Sequence, residues 1–245
     1  MKRKPKEYHA SVISNEFVSP KVFRLHLDLG ASLEFKAGQY LMMQLPEEEF
    51  KNQRFSGHQE SDLHKPRAYS IASPPSWKTH LEFLIEFKEG GVLTPYLSAL
   101  KAGNTLKVKG PLGKFTVKDI KEEVSFIATG TGIAPFRAMV HDILEQNPEQ
   151  KINLLYGFRF PNEYLLKEEW DALAKKYRNL KLLATCSKPD QDWHGLKGRV
   201  SQYVEQLAIE NNDAYLCGSE AMIRDAKSLL MNKGFLEDRI HIELW

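Results

Sequence analysis

The sequence predicts two units in one chain: an antiparallel β-barrel or sandwich over residues 1–119, then an α/β unit with a parallel sheet over residues 120–245. Three observations carry that prediction. Short segments with alternating apolar positions fill the first part, as in Val22, Phe23, Leu25 and Leu27, and Pro, Gly and Asn separate them. Beyond Asp119 the pattern changes to short apolar runs alternating with helical spacing, the mark of a parallel sheet with crossover helices. Finally, 245 residues at about 150 per domain leave room for one large domain or two small ones.

Taken in order, the alternating segments are Tyr8–Val18, Lys21–Leu29, Gln39–Leu45, His80–Phe87 and Asn104–Lys109. Glu47–Lys65 interrupts them as a polar, charged loop. Its two histidines, His58 and His64, have no carboxylate spacing that suggests a metal. The boundary falls near Asp119–Glu123. The apolar runs follow at Val124–Ala128, Ile152–Tyr156, Leu180–Ala184, Ala214–Leu216 and Ile240–Ile242. Phe136, Met139, Val140, Ile143 and Leu144 define one helix; Met222, Ile223, Ala226, Leu229 and Leu230 define another, stopped at Gly234.

Composition excludes several classes. Charged residues make up 27% and hydrophobic residues 42%, with 34 basic against 32 acidic side chains, a net +2; neither a disordered acidic protein nor a general nucleic-acid binder fits. That near-neutral total hides an asymmetry: 18 basic against 13 acidic residues before the boundary, and 16 against 19 after it, or +5 and −3. Two cysteines, Cys186 and Cys217, are too few for a disulfide framework, a four-cysteine zinc site or an iron-sulfur cluster, so no metal is expected and a reducing, cytoplasmic setting is the default. The basic start Met-Lys-Arg-Lys-Pro-Lys has no apolar segment behind it, and no stretch approaches about 18 apolar residues, so neither secretion nor a membrane span is expected.

The strand Val124–Ala128 runs into Thr129-Gly130-Thr131-Gly132-Ile133-Ala134-Pro135 and then a helix. In that context glycines let backbone amides approach a phosphate, and Pro135 suits a first helical turn. A plain strand-to-helix turn is the alternative. No Gly-Lys-Ser/Thr follows, so this is not a Walker A loop. It also departs from the usual dinucleotide fingerprint: proline stands where the third glycine would be, and the next strand ends in Gly157-Phe158-Arg159 instead of an acidic residue for the ribose. The missing carboxylate argues against a methyltransferase as well.

Arg67-Ala68-Tyr69-Ser70-Ile71-Ala72-Ser73 precedes a predicted strand in the β-rich part, and here the sequence resembles the ferredoxin-NADP reductase family of flavoproteins, bacterial type. The order of motifs is the argument. Arg67-Ala68-Tyr69-Ser70 resembles the family's flavin-binding Arg-x-Tyr-Ser, and Gly91-Val92-Leu93-Thr94 its phosphate segment. Gly110-Pro111-Leu112-Gly113-Lys114-Phe115 is similar to its domain-end turn, Gly130–Phe136 to its pyridine-nucleotide loop, and Cys217-Gly218-Ser219 to its segment near the nicotinamide. Together they span most of the chain. The resemblance implies a flavin-binding β-barrel, residues 1–119, followed by a Rossmann-like NAD(P)-binding domain, residues 120–245. FAD is the expected cofactor, with FMN second, and NADPH or NADH the expected substrate.

The chemistry of each position can be argued directly. A flavin needs a fixed cation for its phosphate and a flat apolar support for its ring, so Arg67 would pair the phosphate, Tyr69 pack the ring and Ser70 reach toward N5. In an extended segment Arg67 and Tyr69 point to one face and Ser70 to the other, so joint use needs backbone contact, through Ala68, or strand twist. Gly90, Gly91 and Val92 before Thr94 can open a short helix whose amides meet a pyrophosphate. Thr129, Gly130, Thr131, Gly132 and Ile133 would cradle the coenzyme. Cys217 and Gly218 end a strand, where ligands of parallel sheets bind, although a buried thiol is the bland alternative.

Ser187 and Lys188 follow the strand at Leu180, where the family reads the adenosine ribose; Lys188 could pair a 2′-phosphate or be a solvated loop residue. Trp193-His194-Gly195 and Gly198-Arg199 resemble a pattern of NADH-using relatives, which leaves the NADPH preference weak. The resemblance implies that the terminal aromatic, Trp245, covers the flavin and yields to nicotinamide. Ser70, Cys217 and Trp245 are thus the candidate catalytic residues. The expected activity is hydride transfer from NAD(P)H through flavin to a ferredoxin or flavodoxin-like acidic carrier, by a monomer with no nucleic-acid or membrane partner. A flavin reductase and a non-catalytic electron-transfer or regulatory subunit are the alternatives. No cysteine-rich ferredoxin segment is present, as expected of a reductase module alone.

Overall fold

The structure is a computed structural model describing residues 5–51 and 57–244, and it divides into two compact units, one ending at Thr116 and the other beginning at Val117. The first holds strands β1 (Lys6–Phe17), β2 (Val22–Asp28), β3 (Tyr40–Met43), β4 (Arg67–Ser70), β5 (His80–Glu86) and β6 (Thr105–Leu112). Its helices are the single turn α1 (Glu60–Leu63) and α2 (Leu93–Ala99). All strand pairs are antiparallel, in the order β4-β3-β6-β1-β2-β5. The two outer strands approach one another where Ala72 N–H donates to the Glu82 carbonyl at 2.8 Å and Glu82 N–H to Ser73 Oγ at 3.1 Å, so the sheet is a nearly closed barrel. Inward positions at period two, Phe23, Leu25 and Leu27 on β2 and Leu41 and Met43 on β3, are fully buried in its core.

One strand differs from its predicted extent. β6 runs through Gly110-Pro111-Leu112 rather than stopping at Lys109 in a turn. Proline cannot donate to a ladder, but Tyr40 pairs with Leu112 while Met42 pairs with Lys109, so Gly110 and Pro111 sit in a bulge and the strand continues past them. In Glu47–Lys65, expected as a loop, the described residues add only a turn at Glu47–Glu49 and α1.

The second unit alternates β7 (Glu123–Thr129), α3 (Ile133–Gln146), β8 (Lys151–Phe158), α4 (Lys167–Lys176), β9 (Leu180–Cys186), β10 (Leu196–Lys197), β11 (Asn212–Gly218), α5 (Glu220–Lys233) and β12 (Ile240–Leu244). Every ladder is parallel, in the order β10-β9-β8-β7-β11-β12. β7 is buried from Val124 to Ala128, because helices and loops cover both faces. On one face Ile127 and Leu216 pack with Met222, Ala226 and Leu230 of α5; on the other Phe126 meets Phe136 of α3 at 4.9 Å. Two asparagines inside the sheet are satisfied: Asn212 Nδ2 donates to Ser125 Oγ at 2.9 Å, and Asn153 Nδ2 to Glu123 Oε2 at 3.1 Å. α3 is tied to α4 by Glu169, which accepts from Arg137 Nε at 2.7 Å and lies 2.8 Å from His141 Nε2. Among the described residues no helix is long and apolar enough to cross a membrane.

Candidate functional site

In the first unit the site is built on β4. Its register pairs Leu41 with Tyr69 and Met43 with Arg67. Leu41 and Met43 face the core, so Tyr69 and Arg67 share the inward face and Ser70 lies on the other, as the alternation requires. Tyr69 packs its ring against the barrel core, and burial, opposed by Arg67, pushes its hydroxyl up to about 12, so it stays a donor at neutral pH. Arg67 donates from Nη1 to the Lys65 carbonyl at 3.2 Å, and no described carboxylate lies within ion-pair distance of it. Ser70 is buried and its Oγ has no partner. A buried hydroxyl without a hydrogen bond costs about 1–3 kcal/mol, which a polar group arriving from a ligand would offset. Arg67, without a carboxylate, and the Tyr69 ring lie on one face of β4 and the orphaned Ser70 hydroxyl on the other, so a flavin mononucleotide moiety that fits all three wraps the edge of this outer strand.

The phosphate segment follows β5. Gly90 has φ +67° with open space around its Cα, and Gly91 N–H turns back to the Lys88 carbonyl at 3.0 Å. Thr94 lies in α2 and its Oγ1 accepts from Lys88 N–H at 2.9 Å, leaving the hydroxyl proton to donate. Val92 stands at the start of that seven-residue helix with no side chain capping it.

In the second unit the loop after β7 sits at the carboxyl edge of a central strand. Gly130 (φ +54°), Thr131 and Gly132 form one tight turn leading into α3 at Ile133. A Cβ on Gly132 would stand 2.5 Å from the Cys217 carbonyl carbon and 2.8 Å from Gly218 N, so only glycine lets loop and β11 touch. Thr129 closes the same seam: its Oγ1 accepts from Ser219 N–H at 3.1 Å. Ser219 Oγ in turn caps α5 through Met222 N–H. Cys217 is fully buried and outside any disulfide. The structure therefore brings Thr129–Ile133 together with Cys217 and Gly218. Ser187 and Lys188 follow β9, two strands out from β7, exposed, their amides held by the Phe158 and Arg159 carbonyls at 3.0 and 2.7 Å. Trp193 turns its ring edge-on to Phe158 at 5.3 Å and donates to the Leu196 carbonyl, and Gly195 is glycine because that ring lies over it. Trp245 lies outside the described residues.

One residue escaped the sequence reading. Glu243 is the register partner of Cys217 across β11 and β12, and its Oε2 is buried without a partner. Burial pushes its carboxyl up to about 7. The only signal in the sequence is an acid inside the apolar strand Ile240–Leu244. Because the folded value lies above the ordinary 4.5, the stability this group contributes is full below about pH 4.5 and is lost as pH rises through about 7. Thermal melts of wild type and Glu243→Gln should therefore diverge from about pH 5 to about pH 8, the wild type falling relative to the variant. Parallel curves would mean the carboxyl is solvated in the folded chain.

Comparison with known proteins gives two family models in the same order: an oxidoreductase FAD-binding domain over residues 9–117 and an oxidoreductase NAD-binding domain over residues 126–228. The phenol hydroxylase P5 protein of Acinetobacter pittii is 34% identical over 97% of this chain, which spans 65% of that protein, just under two thirds. Ferredoxin–NADP reductase B of Sorangium cellulosum is 29% identical, with 96% of each chain covered. Among solved structures, the Amycolatopsis cytochrome P450 reductase GcoB superposes with a TM-score of 0.84 at 23% identity, covering 98% of this chain and 70% of that one.

Proposed function

The chain belongs to the ferredoxin-NADP reductase family, with its FAD-binding and NAD-binding oxidoreductase domains, and on that premise we propose that it moves electrons from NADH or NADPH to a ferredoxin or flavodoxin-like acidic carrier. One observation supports the flavin half most strongly: the orphaned Ser70 hydroxyl on the strand that also carries Arg67 and Tyr69. When bound, FAD supplies a ring that accepts a hydride and releases electrons singly. Arg67 holds its phosphate through a charge-assisted hydrogen bond, Tyr69 supports the ring, and Ser70 Oγ meets a ring nitrogen. Ala68 contributes backbone contact, while the Gly90 and Val92 amides and the Thr94 hydroxyl proton take the pyrophosphate and Gly91, its N–H turned to the Lys88 carbonyl, shapes the turn.

In the second unit the Thr131 and Gly132 amides receive the coenzyme pyrophosphate beside Thr129 and Gly130, while the Ile133 N–H turns back to the Gly130 and Thr131 carbonyls and closes the loop. Cys217 offers a small apolar contact to nicotinamide, and Gly218 lets Thr129 close against the end of β11, where a Cβ would stand 2.9 Å from Thr129 N. Glu243, neutral below about pH 7, is a hydrogen-bond donor next to the thiol. Ser187 and Lys188 read the adenosine ribose. If Lys188 pairs a 2′-phosphate, Lys188→Ala raises KM for NADPH and leaves KM for NADH unchanged; equal effects on both assign the lysine to solvent.

The carrier is argued from charge. Residues 1–119 hold 18 basic against 13 acidic residues, a surplus of +5 in the flavin half, and opposite charge steers an acidic protein to it. Reduction of a plant-type or bacterial ferredoxin should then slow as salt shortens the Debye length to about 8 Å near physiological ionic strength. A flat salt profile would point to a small neutral acceptor, such as released flavin.

A further inference from the structure

We propose that Tyr156 is the residue that aims the coenzyme loop: its hydroxyl holds the Gly130 carbonyl and thereby turns the Thr131 N–H outward to a pyrophosphate. This rests on the coenzyme reading above. Tyr156 lies on β8, whose neighbour β7 carries the loop, with Tyr156 opposite Ala128 in the register. It is fully buried, and its hydroxyl donates to the Gly130 carbonyl at 3.2 Å.

The consequence follows from peptide geometry. In a planar trans peptide the carbonyl and the next N–H point in opposite directions, so a Gly130 oxygen held against β8 fixes where the Thr131 N–H points. Gly130 is exposed and at φ +54°, a residue with unusual backbone freedom, and its carbonyl accepts from the Ile133 N–H within the turn as well as from Tyr156, so loss of the tether leaves its peptide plane held by the turn alone. On the other side the loop is already locked, by Thr129 to Ser219 and by the contact of Gly132 with Cys217. Tyr156 supplies the matching anchor, and burial keeps its hydroxyl protonated far above neutral pH. It is a positioning residue, since it acts on the coenzyme only through the loop.

A matched control lies in the same aromatic cluster. Tyr164 sits 5.7 Å from Tyr156, ring to ring, and its hydroxyl is buried with no partner. Tyr156→Phe and Tyr164→Phe therefore remove the same atom, but only the first touches the loop. With ADP-ribose as probe on the FAD-loaded chain, calorimetry should show Tyr156→Phe weakening binding about three- to tenfold, the scale of one hydrogen bond, with Tyr164→Phe unchanged. In turnover Tyr156→Phe should raise KM for NADH or NADPH and leave kcat as it was. On the wild-type chain, ADP-ribose should shift the Thr131 amide resonance. Equal binding by both variants and wild type overturns the assignment, as does a fall in kcat with KM unchanged. If Tyr156→Phe does not fold, an unperturbed Thr131 amide overturns it alone. A wild-type chain that binds no ADP-ribose removes the coenzyme reading itself, and the assignment with it.

Discussion

Arg67→Ala should lose flavin more readily than any other single change on β4. A charge-assisted hydrogen bond contributes about 1.5 to 3 kcal/mol, so removing the guanidinium should weaken FAD binding about ten- to 150-fold. The fold should survive, since Arg67 makes only the one 3.2 Å bond to the Lys65 carbonyl among the described residues and sits beside no carboxylate that would be stranded. Flavin released on dialysis, compared with wild type and with Arg67→Lys, measures the effect. Lysine keeps the charge but not the fork, so it should fall between the two. Flavin content that is the same in all three would remove Arg67 from the site.

Gly132→Ala should be the most damaging change in the second unit. The added Cβ would meet the backbone of Cys217 and Gly218 at 2.5 and 2.8 Å, and backbone cannot move aside as a flexible side chain does. Overpacking of this kind costs about 1–3 kcal/mol, and at about 2 kcal/mol the melting temperature of this unit should fall by about 4 to 8 °C. The larger effect is on function, because relief of the clash pushes the loop off the end of β11. Coenzyme binding should weaken about tenfold or more, equivalent to ~1.4 kcal/mol, with flavin content unaltered. Gly130→Ala, at a position with open space but φ +54°, strains the turn without that clash and should be milder in stability. Should Gly132→Ala bind coenzyme like wild type, the close contact between loop and β11 is not what shapes the site.

The sequence made most of this architecture legible because its two periods differ physically. β2 and β3 bury one face and alternate, while β7 and β8 are covered on both faces and read as unbroken apolar runs. The glycine loop was readable from strand, glycines and helix in succession. What it hid were facts of register. Nothing local to Pro111 says that a bulge lets β6 continue, because the compensation lies on β3. Glu243 looks like an ordinary surface acid of a terminal strand until β12 is set beside β11, which puts it opposite Cys217 in the register with its Oε2 out of water. Tyr156 reads as one more strand aromatic, since its hydroxyl partner is 26 residues away. Trp193-His194-Gly195 likewise gave no local sign that the tryptophan folds over its own glycine and edge-on to Phe158.

The central claim is that this chain holds a flavin which nicotinamide coenzyme reduces, and an anaerobic absorbance titration of the purified, FAD-loaded chain tests it most directly. The account predicts a flavin spectrum that stays with the protein through gel filtration, bleaches on addition of NADH or NADPH, and returns when ferredoxin is supplied as acceptor. A chain that takes up no FAD, or holds FAD that neither coenzyme bleaches, would contradict it.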